Sequence, residues 1–281
     1  RGACRLARDP TGADRENGRG KLRSVADLIL SEFDAVTITV AKDFQFFDFS
    51  LSNEEPRDII AAALSSPDVG IVNTLNAHSF NVALQDAEFS DALHKSDALV
   101  ADGIGVVWAA RLKGANGLNK ISGFDLFQAS MELADVQQLT VGFLGSTPDV
   151  LDKIVARSGR EYPGITVKVL SPPFASGFTD TEARDLLAEI GSADILFVGM
   201  TAPKQEKFAQ QIREYVDASV VLSIGAVFDF YAGTTKRAHP IFIRLGLEWL
   251  GRSIADPKRL GKRNLIAIPT FVFNCLQLSL R

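Results

Sequence analysis

Apolar residues along this chain are grouped in two ways. Short β-branched runs (Val69–Leu75, Ala98–Ala101, Thr140–Leu144, Thr166–Leu170, Ile195–Val198 and Val220–Ile224) alternate from about residue 36 with longer amphipathic stretches. Strand-like runs separated by helix-like ones build βαβ units, so the pattern predicts an α/β fold, Rossmann-like, with a mostly parallel sheet flanked by helices. One helix start is sharply marked: Ser52, with Glu55 three residues on, reads as a capping box ahead of Ile59, Ile60 and Leu64.

Many of the predicted strands end in Gly or Asp: Asp102-Gly103, Gly145, Gly199-Met200 and Gly225. In an open α/β sheet the ligand crevice lies outside the carboxyl ends of the strands, where glycine lets the backbone approach a phosphate and helix N-termini supply free N–H donors. Several loops are therefore expected to converge on one crevice. The glycines do not spell GxGxxG, and no GxxxxGK[ST] is present, so neither a dinucleotide fingerprint nor a P-loop is supported.

Composition narrows the picture. With 281 residues, 46% hydrophobic and 23% charged, the chain has the profile of a globular protein and the length for one sizeable α/β unit with appendages. A formal net charge of −4 provides no global basic field, which argues against a nucleic-acid partner and leaves any anionic ligand to be gripped locally. Cys4 and Cys275 lie near opposite ends, which suits neither a disulfide framework nor a thiolate metal site and fits a reducing cytoplasm. The histidines, His78, His94 and His239, have no metal-ligand spacing, and no Asp-X-Asp occurs, so no bound metal and no cofactor is expected.

The first two dozen residues hold seven basic side chains among Gly, Asp and Pro with no apolar h-region, and residues 1–35 are predicted to be a disordered tail ahead of an α/β domain over 36–235. Residues 236–281 differ in character. Lys236, Arg237, Arg244, Arg252, Lys258, Arg259, Lys262 and Arg263 face only Glu248 and Asp256, with Phe242, Trp249 and Leu250 interleaved and an apolar stretch from Leu265 to Leu280. The segment reads as a basic amphipathic helical appendage of the kind that lies on anionic lipid, or else as a solvated helical face packed on the domain. The apolar stretch is broken by Pro269, Thr270, Asn274 and Gln277, so no membrane-spanning helix is predicted.

Four segments carry candidate chemistry, and each has a plainer reading beside it. Thr74 and Asn76, after an apolar strand, could hold sugar hydroxyls or simply cap the next helix. Asp102, at a strand end beside Gly103, is placed to act as a general base on a hydroxyl, or to form an Asp-Gly turn. Pro203, Lys204, Gln205 and Glu206 after Gly199 could open a helix towards an anion, or be a polar first turn. Phe228, Asp229, Phe230 and Tyr231 could line a nucleoside pocket or belong to the core.

In their order along the chain, Thr74-Leu-Asn76, Ala101-Asp-Gly-Ile-Gly-Val106, Ser122-Gly-Phe-Asp-Leu126, Ala202-Pro-Lys-Gln-Glu206, Phe228-Asp-Phe-Tyr-Ala-Gly233 and Leu245-Gly-Leu-Glu-Trp-Leu250 resemble the WecG/TagA/CpsF family of bacterial glycosyltransferases across roughly residues 40 to 263. The resemblance implies a metal-independent, inverting enzyme that moves a sugar from a UDP-sugar to a polyprenyl-diphosphate-linked saccharide in cell-envelope or exopolysaccharide assembly. It implies a cytoplasmic protein held peripherally at the inner face of the cytoplasmic membrane, and it leaves homo-oligomers open.

By the same resemblance Asp102 would be the base, with Thr74 and Asn76 positioning a sugar. Gly103, Gly145, Gly199, Lys204, Gln205, Glu206, Phe228 and Asp229 would bind the UDP-sugar. Arg237, Arg252, Arg259, Lys262 and Arg263 would meet the diphosphate or the lipid-linked substrate, since without a metal the charge growing on UDP needs cationic groups and helix N-termini. Gly199-Met-Thr, Gly225-Ala-Val and Ala238-His-Pro depart from the family pattern, which leaves N-acetylmannosamine, its uronic acid, glucose and other hexoses all open as donor sugars. The alternative is a nucleotide-sugar-binding regulatory module without catalysis.

Overall fold

The computed structural model describes residues 43–235 and 262–280, with side chains from 266 onward in the second stretch. A short antiparallel hairpin, β1 (Phe44–Phe46) and β2 (Phe49–Leu51), leads into helix α1 (Pro56–Ser65). The sheet strands are β3 (Gly70–Leu75), β4 (Ala98–Ala101), β5 (Thr140–Gly145), β6 (Thr166–Leu170), β7 (Ile195–Gly199) and β8 (Val220–Ser223). They pair in the order β4-β3-β8-β7-β5-β6, parallel throughout. All six predicted strands are present, with shifts of one residue at some ends.

Between the strands run α2 (Ala77–Ala83), α3 (Ala87–His94), α4 (Ile104–Leu112), α5 (Gly123–Gln137), α6 (Pro148–Glu161), α7 (Asp180–Ile190), α8 (Lys204–Ile212) and α9 (Gly225–Tyr231). The last described helix is α10 (Lys262–Ser279). Alternation along the strands divides the core into layers, because successive side chains in a strand point to opposite faces. Val141, Phe143, Ile195, Phe197, Val220 and Leu222 meet the helices on one face. Leu144, Leu196, Val198 and Val221 meet α7 and α8 on the other. A further cluster joins the hairpin, α2, α4 and α10 through Phe46, Phe80, Val106 and Phe271.

Local sequence explains several helix starts. Ser122 accepts from the Asp125 N–H while the Asp125 carboxylate accepts from the Ser122 N–H at 2.8 Å, and Thr179 with Glu182 does the same for α7. The box read at Ser52 and Glu55 does not form. The Ser52 N–H donates to the Leu99 carbonyl at 2.8 Å, which holds the residue against the edge strand β4. Pro56, whose fixed φ suits a first helical position, then starts α1 with Glu55 as a cap that makes no side-chain hydrogen bond.

Helix α10 is an integral wall. It packs on α2, where Asn81 donates to the Ala267 carbonyl at 2.7 Å and accepts from Asn274 at 3.0 Å. The Asn81 amide supplies the Ala267 carbonyl with a donor from outside the helix, two residues before Pro269. No described helix is long and apolar enough to cross a membrane.

Candidate active site

A cavity of about 1270 Å³ lies across the carboxyl ends of β3, β4, β5, β7 and β8, walled on one side by α4 and α10. Thr74, Asn76, Asp102, Gly103, Gly145, Gly199, Lys204, Gln205 and Asp229 all line it, although they come from the ends of β3, β5 and β7 and from the turns and helices that follow β3, β4, β7 and β8. Glu206 and Phe228 do not line it. Both are buried behind the floor, Glu206 at 2% exposure and Phe228 among the aromatic rings of the core. Arg237, Arg252 and Arg259 lie outside the described residues, and Lys262 and Arg263 open α10 with side chains that are not described.

Asn76 caps α2. Its Oδ1 accepts from the His78 and Ser79 N–H groups, each at 3.0 Å, so the plainer reading of this residue is realised. That fixes the side chain at the cavity edge and leaves its Nδ2 without a hydrogen bond to any described residue. Thr74 is the penultimate residue of β3, half-buried beside Val100 of β4. Asp102 follows the last residue of β4, its N–H donating to the Leu75 carbonyl at 2.9 Å, so its carboxyl stands where two strands finish together.

The glycines serve different purposes. At Gly103, with φ near 110°, a side chain would meet open space, and the positive φ is what calls for glycine. At Gly199 an added Cβ would collide with the Phe228 ring, and at Gly225 with the Met200 carbonyl and the Gln205 amide. Those two let α9 pack closely on the end of β7 and the start of α8, so the floor is filled by the protein itself.

Lys204 donates to the Ala175 carbonyl at 2.7 Å and lies 5.8 Å from the Phe174 ring centroid and 5.4 Å from that of Phe178. Burial lowers its pKa from the usual lysine value. Gln205 accepts from the Gly225 N–H at 3.0 Å and donates to Glu206 Oε1 at 2.8 Å. Burial raises the Glu206 pKa to about 7, against the opposing pull of the Gln205 hydrogen bond. Asp229 accepts from the Thr234 hydroxyl at 3.3 Å.

The structure adds residues that the motifs did not single out. Lys113 and Lys120 line the cavity beside the loops after β4. Phe174 stands fully exposed on its rim, after Ser171-Pro172-Pro173. An aromatic following two prolines was a legible sign of a stiff loop presenting a ring. Trp108, Leu112, Val272 and Leu276 complete an apolar lip, each more than half exposed, with Leu112 at 90%. Trp108 and Leu112 are one helical turn apart, a spacing that marks a shared face.

A parallel sheet with a cavity over its carboxyl ends, polar groups at the strand ends and an apolar lip, is the arrangement of α/β proteins whose ligands meet residues from several strand ends. The family model described as "Glycosyl transferase WecG/TagA/CpsF family" matches residues 44–281, and the chain belongs to that family of glycosyltransferases. Three relatives are named N-acetylglucosaminyldiphosphoundecaprenol N-acetyl-beta-D-mannosaminyltransferase. The protein from Bacillus spizizenii is 32% identical over 68% of this chain and 72% of its own. That from Bacillus subtilis is 31% identical over 74% and 79%, and that from Staphylococcus aureus (strain NCTC 8325 / PS 47) 30% over 71% and 77%.

Proposed function

We propose that this chain moves a hexose or N-acetylhexosamine from a UDP-sugar to a polyprenyl-diphosphate-linked saccharide, with inversion and without a metal ion, at the inner face of the cytoplasmic membrane. The observation that carries this reading is the shared cavity. Asp102, the lysines 113, 120 and 204, and the apolar lip of α4 and α10 all border one space. An acid–base group, cations for a diphosphate and a greasy entrance are what a lipid-linked acceptor and a nucleotide-sugar donor require together. The relatives' names describe transfer of N-acetylmannosamine onto an undecaprenyl-diphosphate-linked sugar, which makes that pair the first to try.

In this reading Asp102 takes the proton from the acceptor hydroxyl as its oxygen attacks the anomeric carbon. The bond from that carbon to the β-phosphate oxygen breaks on the opposite face, and UDP leaves with the bonding pair. Lys204 and Lys120, with Arg237, Arg252, Arg259, Lys262 and Arg263 of the C-terminal segment, meet the charge that grows there. Phe174 offers its ring to the nucleobase, a contact tolerant of sequence and rich in dispersion. Among the described residues no three His, Cys, Asp or Glu side chains gather as a metal site would need.

The test is a UDP-release assay in EDTA with a panel of UDP-sugars and a polyprenyl-diphosphate-linked acceptor in anionic vesicles. Acceptor-dependent release with one donor supports the reading and names the sugar. Release that demands a divalent ion overturns the metal-free part. UDP binding without turnover across the panel moves the weight to a regulatory module.

A further inference from the structure

Glu206 is a buried carboxyl that no step above uses. Its Oε1 accepts from Gln205 Nε2 at 2.8 Å, while its Oε2 is sealed from solvent and makes no hydrogen bond to any described residue. A buried polar atom left alone destabilises the fold, so the carboxyl's retention here calls for a reason.

The reason lies in what Gln205 does. Its Nε2 also reaches the Ser223 carbonyl at 3.3 Å, its Oε1 accepts from the Gly225 N–H at 3.0 Å, and its own carbonyl faces the Ser223 hydroxyl at 3.4 Å. One amide thus ties the start of α8 to the loop from β8 into α9. An amide can sit either way round, and turning this one would set its oxygen against the Glu206 and Ser223 oxygens and its NH₂ against the Gly225 N–H. Gly225 leaves no slack, because its Cα hydrogen already faces the Met200 carbonyl and the Gln205 Oε1. Met200, Gln205, Ser223, Gly225 and Asp229 all line the cavity.

We infer that Glu206 is a positioning residue: its buried oxygen fixes the orientation of the Gln205 amide, and through it the β8–α9 loop that shapes the nucleotide side of the cavity. The role rests on the UDP-sugar reading for its consequence in catalysis, but not for its geometry. The carboxyl therefore acts from behind the floor, touching no substrate.

The full-length enzyme with its lipid acceptor in vesicles provides the test. Glu206→Met removes the oxygens at similar volume, and Glu206→Gln keeps an acceptor oxygen for Gln205. Loss of the amide's anchor should raise the donor KM and the Kd for UDP about tenfold in Glu206→Met, with kcat changed by less than about threefold. Glu206→Gln should stay within about threefold of wild type on each. Because Glu206 acts only through Gln205, Gln205→Met combined with Glu206→Met should bind UDP no more weakly than Gln205→Met alone.

Amide-resolved hydrogen exchange reads the same geometry without ligand. The Gly225 N–H should exchange about tenfold faster in Glu206→Met, with the β8 amides unchanged. Additive losses in the double variant, or unaltered Gly225 exchange in folded Glu206→Met, overturn the proposal. Should Glu206→Met not fold, Glu206→Asp draws the oxygens back by one methylene and carries the same expectation and the same refutation. A wild-type chain that fails to bind UDP sinks the donor reading, while the exchange measurement still decides the role of Glu206.

Discussion

The floor and the rim of one cavity are built on opposite principles. On the floor, Gly199 and Gly225 leave space only for neighbouring protein atoms, and Gln205 and Glu206 are buried together. On the rim, Leu112, Phe174, Val272 and Leu276 present more than half of their surface to solvent. A close-packed region transmits any change of volume as strain, whereas an exposed apolar side chain contributes little to folding and is available to a partner. Substitutions in the floor should therefore register in stability or nucleotide binding, and those on the rim in affinity for what the rim meets. Asp102 stands between the two, at the end of β4.

The largest effect is expected there. Asp102→Asn keeps shape and removes the base, so turnover should fall by a factor of about 10²–10⁴ while UDP affinity and melting temperature hold. Steady-state kinetics with equilibrium binding checks this. Wild-type turnover in the variant would take Asp102 out of the reaction and leave the cavity without a base between its halves.

Next comes the floor's buried acid. The Glu206 pKa is raised from 4.5 to about 7, so the folded chain holds a proton that the unfolded chain gives up over that interval. Its contribution is fully present below pH 4.5 and is lost as pH rises through about 7. Relative to Glu206→Gln, wild-type stability should fall by about 3 kcal/mol between pH 4.5 and 8, on the scale of 1.36 kcal/mol per unit. Urea denaturation of both proteins across that range measures the difference, and parallel stability curves would show that the floor is open to water.

Much of this was legible in advance, for identifiable reasons. The six sheet strands are short, apolar and bounded by glycine or polar residues, so period and punctuation were enough to find them. The hairpin of Phe44–Leu51 was not found, because each of its strands has three residues and depends on packing against α2 and α10. The motif residues that stand at strand ends converge on the cavity because strand ends in a parallel sheet must. Sequence could not separate side chains on the cavity wall from those behind it. Glu206 and Phe228 lie one residue from Gln205 and Asp229, and only the helical rotation of about 100° per residue decides which faces the ligand. The apolar rim was hidden because its members come from α4, α10 and the loop after β6, far apart in the chain.

Phe174 tests the rim where it should matter most for the donor. Phe174→Ala removes a ring that contributes little to folding, so the melting temperature should be unchanged. Stacking on a base is worth about 1–3 kcal/mol, which predicts a rise in donor KM with kcat much less affected. Calorimetric titration with UDP separates this from any role in the acceptor. Unchanged UDP affinity would assign the ring to the lipid side of the rim instead.

The smallest expected effect discriminates most sharply between the regions. Leu112→Ser and Leu276→Ser each trade an exposed apolar side chain for a polar one, on α4 and α10 respectively. If polyprenyl or membrane hydrocarbon covers them partially in the working complex, each should cost about 1 kcal/mol of that contact, a fraction of the 1.5–3 kcal/mol for complete burial of a leucine. The KM for a long-chain acceptor in vesicles should then rise by about fivefold per substitution, while that for a short-chain, water-soluble acceptor stays put. Equal changes for both acceptors would remove the lipid from the rim. A fall in melting temperature would break the comparison itself, because it would mean that these side chains support the fold as the floor does.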